Sequence, residues 1–297
     1  MSDPDPYEDE KLMKAMDTVL HKYDVTIAEA KSLRMLKEYD MIVIADDSGS
    51  MRRKDPGCTQ TRWDELGDSL RLIISLGACF DEDGIDIYFL NSEKINGVKS
   101  ADDARLTAAL KKFPSGSTPL SERLEEVVKD RENAVRNELV DAKKPVLLMI
   151  FTDGVPNGGE EVFGGKLAKV LKAQSTKLKF RCQLFACTGQ DDEIAWARKL
   201  DDELEELDMT DDYLTEKKHM DATGAFSSFT KGDWCLKAML GAVDPSWDDP
   251  GKGSRQGQRH QVSKSKMNNC VKAFIVLAIL GGVYYVHFTI SKIKEEL

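Results

Sequence analysis

Met41-Ile42-Val43-Ile44-Ala45-Asp46-Asp47-Ser48-Gly49-Ser50-Met51 is the stretch on which the reading of this chain turns. Residues 41–45 are apolar without alternation, the pattern of a strand covered on both faces. The run ends on Asp-x-Ser-x-Ser. Alternate residues of extended chain project to the same side, so Asp46, Ser48 and Ser50 are placed to converge. Carboxylate and hydroxyl oxygens suit a hard divalent cation. Open α/β sheets bind their ligands at the carboxyl ends of strands. The stretch therefore reads as a central strand with a candidate metal site at its tip.

Outward from this strand, the chain alternates strands and helices. Further strands are expected at 85–91, 145–151 and 178–187, with a weaker one near 219–223. Helices are expected at 62–79, 101–112, 119–138, 160–173, 191–206 and 226–241. This order predicts an α/β fold: a doubly wound, mainly parallel central sheet flanked by helices, with right-handed crossovers. Cys182 and Cys187 are five apart in one expected strand, so they point to opposite faces of the sheet. The six cysteines have no Cys-x-x-Cys spacing, which argues against a structural zinc site.

The ends of the chain differ from this body. Residues 1–38 read as an N-terminal helical extension, with Thr26-x-x-Glu29 as a capping box and Leu33 and Leu36 on its apolar side. The α/β domain is expected over 39–242, a Pro/Gly/Ser-rich basic linker over 243–269, a transmembrane helix over 270–290 and a short tail over 291–297. Residues 273–290 are apolar apart from His287 and Thr289. Eighteen helical residues span about 27 Å, close to one hydrocarbon core. With seven residues after the span and no signal-like N-terminus, the expectation is a tail anchor. Basic residues before the span place the main domain on the cytosolic side. The first 250 residues carry 34 basic and 50 acidic side chains. That acidic body excludes a general nucleic-acid binder, which needs a basic footprint.

Two further segments add oxygen donors. Gly116-Ser117-Thr118-Pro119-Leu120 is a turn-rich loop opening a helix, and the expected strand at 145–151 ends in Thr152-Asp153-Gly154. Parallel strands present their C-terminal ends at one edge, where Asp46 and Asp153 are expected to face each other. The candidate metal ligands are Asp46, Ser48, Ser50, Thr118 and Asp153, with the strand-tip carboxylate of Asp153 read as exposed. Two carboxylates and three hydroxyls match an octahedral Mg²⁺ site that retains water, with Mn²⁺ or Ca²⁺ as alternatives. Each residue also has a structural role open to it: a helix cap for Ser48 or Ser50, an ordinary turn for Asp153-Gly154, and a helix opening for Thr118-Pro119.

Taken together, Asp-x-Ser-x-Ser-Met, Gly-Ser-Thr-Pro-Leu and Phe-Thr-Asp-Gly resemble the three motifs of the von Willebrand factor type A (vWA) domain. The resemblance covers about residues 39–241, and all five positions of that family's metal-ion-dependent adhesion site (MIDAS) are matched in order. Arg62-Trp63-Asp64-Glu65-Leu66 and Tyr88-Phe89-Leu90-Asn91 are similar to intracellular members. The resemblance implies that Ser48, Ser50 and Thr118 ligate directly, and that Asp46 and Asp153 do so directly or through water. It also implies that a partner protein's acidic residue completes the metal shell.

The resulting expectation is a non-enzymatic protein-binding module, of adhesion or scaffold type, on the cytosolic face of a membrane. A metal-dependent hydrolase or phosphatase is the alternative of another class. Against it, the third position of the first motif is Ser48 rather than Asp, and none of His21, His219, His260 and His287 falls in the three motifs. There is also no Gly-x-Ser-x-Gly elbow. A further alternative is an adaptor for a ring-shaped AAA-type ATPase or a quality-control complex. The chain carries no ATPase motif, since Gly251-Lys252-Gly253-Ser254 lacks the spacing of a phosphate loop.

Overall fold

The computed structural model describes residues 31–173, 178–223, 229–244 and Trp247. Six strands form one sheet: β1 (Asp40–Ala45), β2 (Ile85–Phe89), β3 (Ile95–Val98), β4 (Val146–Thr152), β5 (Phe180–Ala186) and β6 (Leu207–Thr210). Their order is β3-β2-β1-β4-β5-β6. All neighbours are parallel except β2 and β3. The connecting helices are α1 (Arg62–Gly77), α2 (Ala104–Leu110), α3 (Leu120–Arg136), α4 (Glu160–Leu171), α5 (Asp191–Glu203), α6 (Tyr213–Thr223) and α7 (Lys231–Leu240). The arrangement is compatible with a Rossmann-like α/β fold. β1 and β4 are the central pair, and the order reverses around β1 as in other doubly wound sheets.

Successive residues of β1 and β4 enter two separate cores. Met41, Val43, Ala45, Leu147, Met149 and Phe151 face the core that holds Leu66, Leu70 and Leu236 of α1 and α7. Ile42, Ile44, Val146, Leu148 and Ile150 face the opposite core, with Leu124 of α3, Leu167 of α4 and Ile194 of α5. Covering both faces explains why these strands show no alternation of hydropathy. Cys182 and Cys187 fall in different cores, as their spacing predicts.

Three expectations need correction. The 219–223 segment is the end of helix α6, not a strand. The edge strands β3 and β6, four residues each, were not expected from the sequence. Residues Lys31–Glu38 form a 3-10 helix rather than part of an α-helix, although Leu33 and Leu36 are fully buried as expected. The capping box at Thr26, the linker beyond Trp247 and the membrane span over 270–290 lie outside the described residues. Among the described residues, no helix is long and apolar enough to cross a membrane.

Candidate metal centre

The register of the central strands builds the site. Ala45 pairs with Phe151, and the Asp46 N–H donates to the Phe151 carbonyl at 3.0 Å. The two strand tips are therefore level, and the residues just beyond them meet. Ser50 Oγ donates to Asp153 Oδ1 at 2.7 Å, across a sequence separation of 103. Ser48 Oγ and Ser50 Oγ lie 3.0 Å apart. The Ser48 N–H donates to Asp46 Oδ1 at 2.8 Å, and Thr152 Oγ1 donates to Asp46 Oδ2 at 2.8 Å. Four of the five expected ligands, Asp46, Ser48, Ser50 and Asp153, thus form one cluster of oxygens.

Thr118 stands at the rim of this cluster. Its loop is tied to the first motif by Gly49 N–H donating to Gly116 O at 3.1 Å, and by Ser115 N–H donating to Asp47 O at 2.7 Å. Asn157 holds it from the β4 side, its own N–H donating to Thr118 O at 2.9 Å. Among the described residues, no hydrogen bond engages the Thr118 hydroxyl. Gly116 is required here: it has φ +104°, and a Cβ on it would lie 2.3 Å from Asn91 Oδ1.

Asp153 is not exposed, contrary to expectation, and Asp46 beside it is buried too. Asp46 is 0% and Asp153 1% exposed. Burial pushes the Asp46 carboxyl up from 3.8 to about 6; the Asp153 charge adds to this, and the hydrogen bonds from Ser48 and Thr152 oppose it. An isolated buried carboxylate is costly unless a cation or donors compensate it. Nor is Ser48 used as a helix cap: it precedes the 3-10 turn Gly49–Arg52, but its side chain accepts no cap hydrogen bond.

The structure adds three residues that the motif reading did not assign to the site. Thr152 clamps Asp46 as described. Asp47 faces away from the cluster and accepts from Asn91 N at 2.7 Å and Ser92 Oγ at 2.6 Å, locking the first motif to the end of β2. Arg62, 3% exposed, donates from Nη1 to Asp153 Oδ2 at 2.8 Å. The same guanidinium holds Asp55 Oδ1 through Nε at 2.9 Å and Nη2 at 2.6 Å, and pairs with Glu193 Oε2 at 2.7 Å. Arg62 opens α1, whose N-terminus is fixed by a Thr61–Asp64 capping box. Its place in the sequence next to a cap gave no sign of its contact 91 residues away.

The donor set fits a small hard cation. Adjacent oxygens of an octahedral shell with bonds of about 2.1 Å lie about 3.0 Å apart. The Ser48–Ser50 and Ser50–Asp153 oxygen separations, 3.0 and 2.7 Å, are close to that spacing. Among the described residues, no group of three or more His, Cys, Asp and Glu side chains is arranged to hold a metal ion; the cluster here combines two carboxylates with serine hydroxyls, oxygen donors of the hard kind. His219, the one histidine of the four that falls among the described residues, is exposed on α6. No family model matches the chain, and no curated protein matches it.

Proposed function

We propose that this chain is a vWA-type, metal-ion-dependent protein-binding module, held at the cytosolic face of a membrane by its C-terminal segment. The observation that carries the reading is the convergence of Asp46, Ser48, Ser50 and Asp153 from two motifs at the tips of β1 and β4. Mg²⁺ bound there, with Mn²⁺ or Ca²⁺ as substitutes, supplies a coordination position for a carboxylate from a partner protein. Ser48 and Ser50 give neutral oxygens, Asp46 and Asp153 give charge, and Thr118 closes the shell from the rim loop. Few charged ligands leave the ion electrophilic, which favours an acidic partner group.

The surroundings suit a macromolecular partner. Phe113, on the Thr118 loop, is 78% exposed, and Val155, just past Asp153, is 50% exposed. Arg52 lies over the Phe113 ring at 5.7 Å, with its Nε donating to Gly49 O at 3.0 Å. Apolar and basic side chains beside a metal-bound carboxylate give an interface its anchors. The membrane assignment rests on the apolar run at 273–290.

Proximity labelling in cells tests the whole reading, with wild type compared against Asp46→Ala. The expected result is a set of membrane-associated neighbours that wild type labels and the variant does not. An identical set for both proteins would remove the metal site from the function.

A further inference from the structure

Arg62 is placed to decide how Asp153 presents its oxygens. Its Nη1 occupies Asp153 Oδ2, while Oδ1 faces Ser50. The guanidinium cannot swing away, because Asp55 fixes it from the other side through Nε and Nη2. Asp55 is itself anchored, its Oδ2 accepting from the Gly189 N–H at 2.6 Å. Burial raises the Asp55 carboxyl, but the Gly189 N–H and Arg62 outweigh it and hold the group below its ordinary value. The planar fork of Arg suits this double duty; a Lys ammonium has no matching geometry. Thr152 acts alike on the other carboxylate, occupying Asp46 Oδ2. Asp153 therefore enters the site with Oδ2 held back by a buried donor, while both Asp46 oxygens accept hydrogen bonds, Oδ1 from the Ser48 N–H and Oδ2 from Thr152.

That constraint bears on which ion fits. Ca²⁺ takes six to eight oxygens at about 2.3–2.6 Å and commonly gains them from bidentate carboxylates. Mg²⁺ takes six at about 2.0–2.1 Å and accepts one oxygen per carboxylate, filling the rest with water. We propose that Arg62 is a positioning residue that makes the site select Mg²⁺ over Ca²⁺ by holding Asp153 monodentate. The inference rests on the metal-binding function proposed above.

The test is isothermal titration of Mg²⁺ and, separately, Ca²⁺ into the full-length chain in detergent. Wild type, Arg62→Gln, Arg62→Lys and Asp55→Asn are compared, with folding checked by circular dichroism. The readout is the ratio of the two affinities, because a loss of stability or a change in site charge moves both ions in the same direction. Wild type is expected to prefer Mg²⁺ by about tenfold or more, and Arg62→Gln to bring the ratio towards one as Ca²⁺ gains a second Asp153 oxygen. Arg62→Lys, which keeps a cation at Oδ2, should retain part of the preference. Should Arg62→Gln fail to fold, Asp55→Asn decides: it loosens the fork and should lower the ratio by a smaller factor. A folded Arg62→Gln, or failing that Asp55→Asn, with the wild-type ratio overturns the role given to Arg62. If wild type binds neither ion, the metal reading fails and the inference with it.

Discussion

Asp153 holds two roles at once: Oδ1 serves the oxygen cluster and Oδ2 serves Arg62. Asp153→Ala should abolish Mg²⁺-dependent partner capture and Mg²⁺-induced thermal stabilisation. The fold should survive, because Arg62 keeps Asp55 and Glu193 as counter-charges. Removing one partner of a buried ion pair costs about 3–5 kcal/mol, and with Asp55 and Glu193 still in place the loss should fall near the low end of that range, which urea denaturation would measure. Asp46 gives a pH dependence of definite sign. In the folded chain it holds its proton up to about pH 6, against an ordinary value of 3.8. Between those values the folded state binds more protons than the unfolded one, so without metal this group's contribution to stability falls as pH rises through the window. A cation requires the ionised form and competes with that proton. The rise in melting temperature given by saturating Mg²⁺ should therefore be larger at about pH 7.5 than at about pH 5, and Asp46→Asn should remove the difference. The five candidate ligands were legible because they follow apolar strands or open a helix. Arg62 and Thr152 were not, because their roles come from register and from a contact between α1 and β4, which no local pattern encodes.

The proposed site depends on elements that aim its side chains without supplying candidate ligands. The Thr61–Asp64 box fixes the first turn of α1, from which Arg62 projects. Thr61→Ala should cost about 1 kcal/mol, seen as a fall of roughly 2–4 °C in melting temperature. The Thr118 loop depends on Gly116, where a Cβ would strike Asn91. Gly116→Ala should weaken Mg²⁺ binding more than it lowers stability, since the loop carries the candidate ligand Thr118 but no core residue of β1 or β4. Helix positions were readable from periodicity throughout α1 to α5 and in α7. The edge strands were not: β3 reads Ile95-Asn96-Gly97-Val98, with a turn-forming pair at its centre. β6 reads Leu207-Asp208-Met209-Thr210, and its inward Asp208 is made tolerable by Gln183 Nε2 donating to it at 2.6 Å. Such a buried polar pair hides a strand from any apolar-run criterion. The 219–223 segment misled in the opposite way, because a short run around Met220 carries no period of its own.

At the scale of the whole molecule, an acidic α/β body is expected to work while tethered to a bilayer. Deleting 270–297 should move the protein from the membrane pellet to the soluble fraction. Pelleting of that truncation after alkaline carbonate extraction would show that the apolar run is not the anchor. The doubly wound sheet was legible because β1 and β4 are buried on both faces, and central strands of that kind carry their environment in their composition. The surface proposed to receive a partner was not legible, because an interface is a property of surface shape, and Phe113, Val155 and Arg52 are scattered in sequence. The most direct measurement of the central claim is an anomalous difference map from crystals grown with Mn²⁺ in place of Mg²⁺. One peak is expected, within bonding distance of Ser48 Oγ, Ser50 Oγ and a carboxylate oxygen of Asp46 or Asp153. A map with no peak between the tips of β1 and β4, or with its peak elsewhere on the domain, would contradict the account.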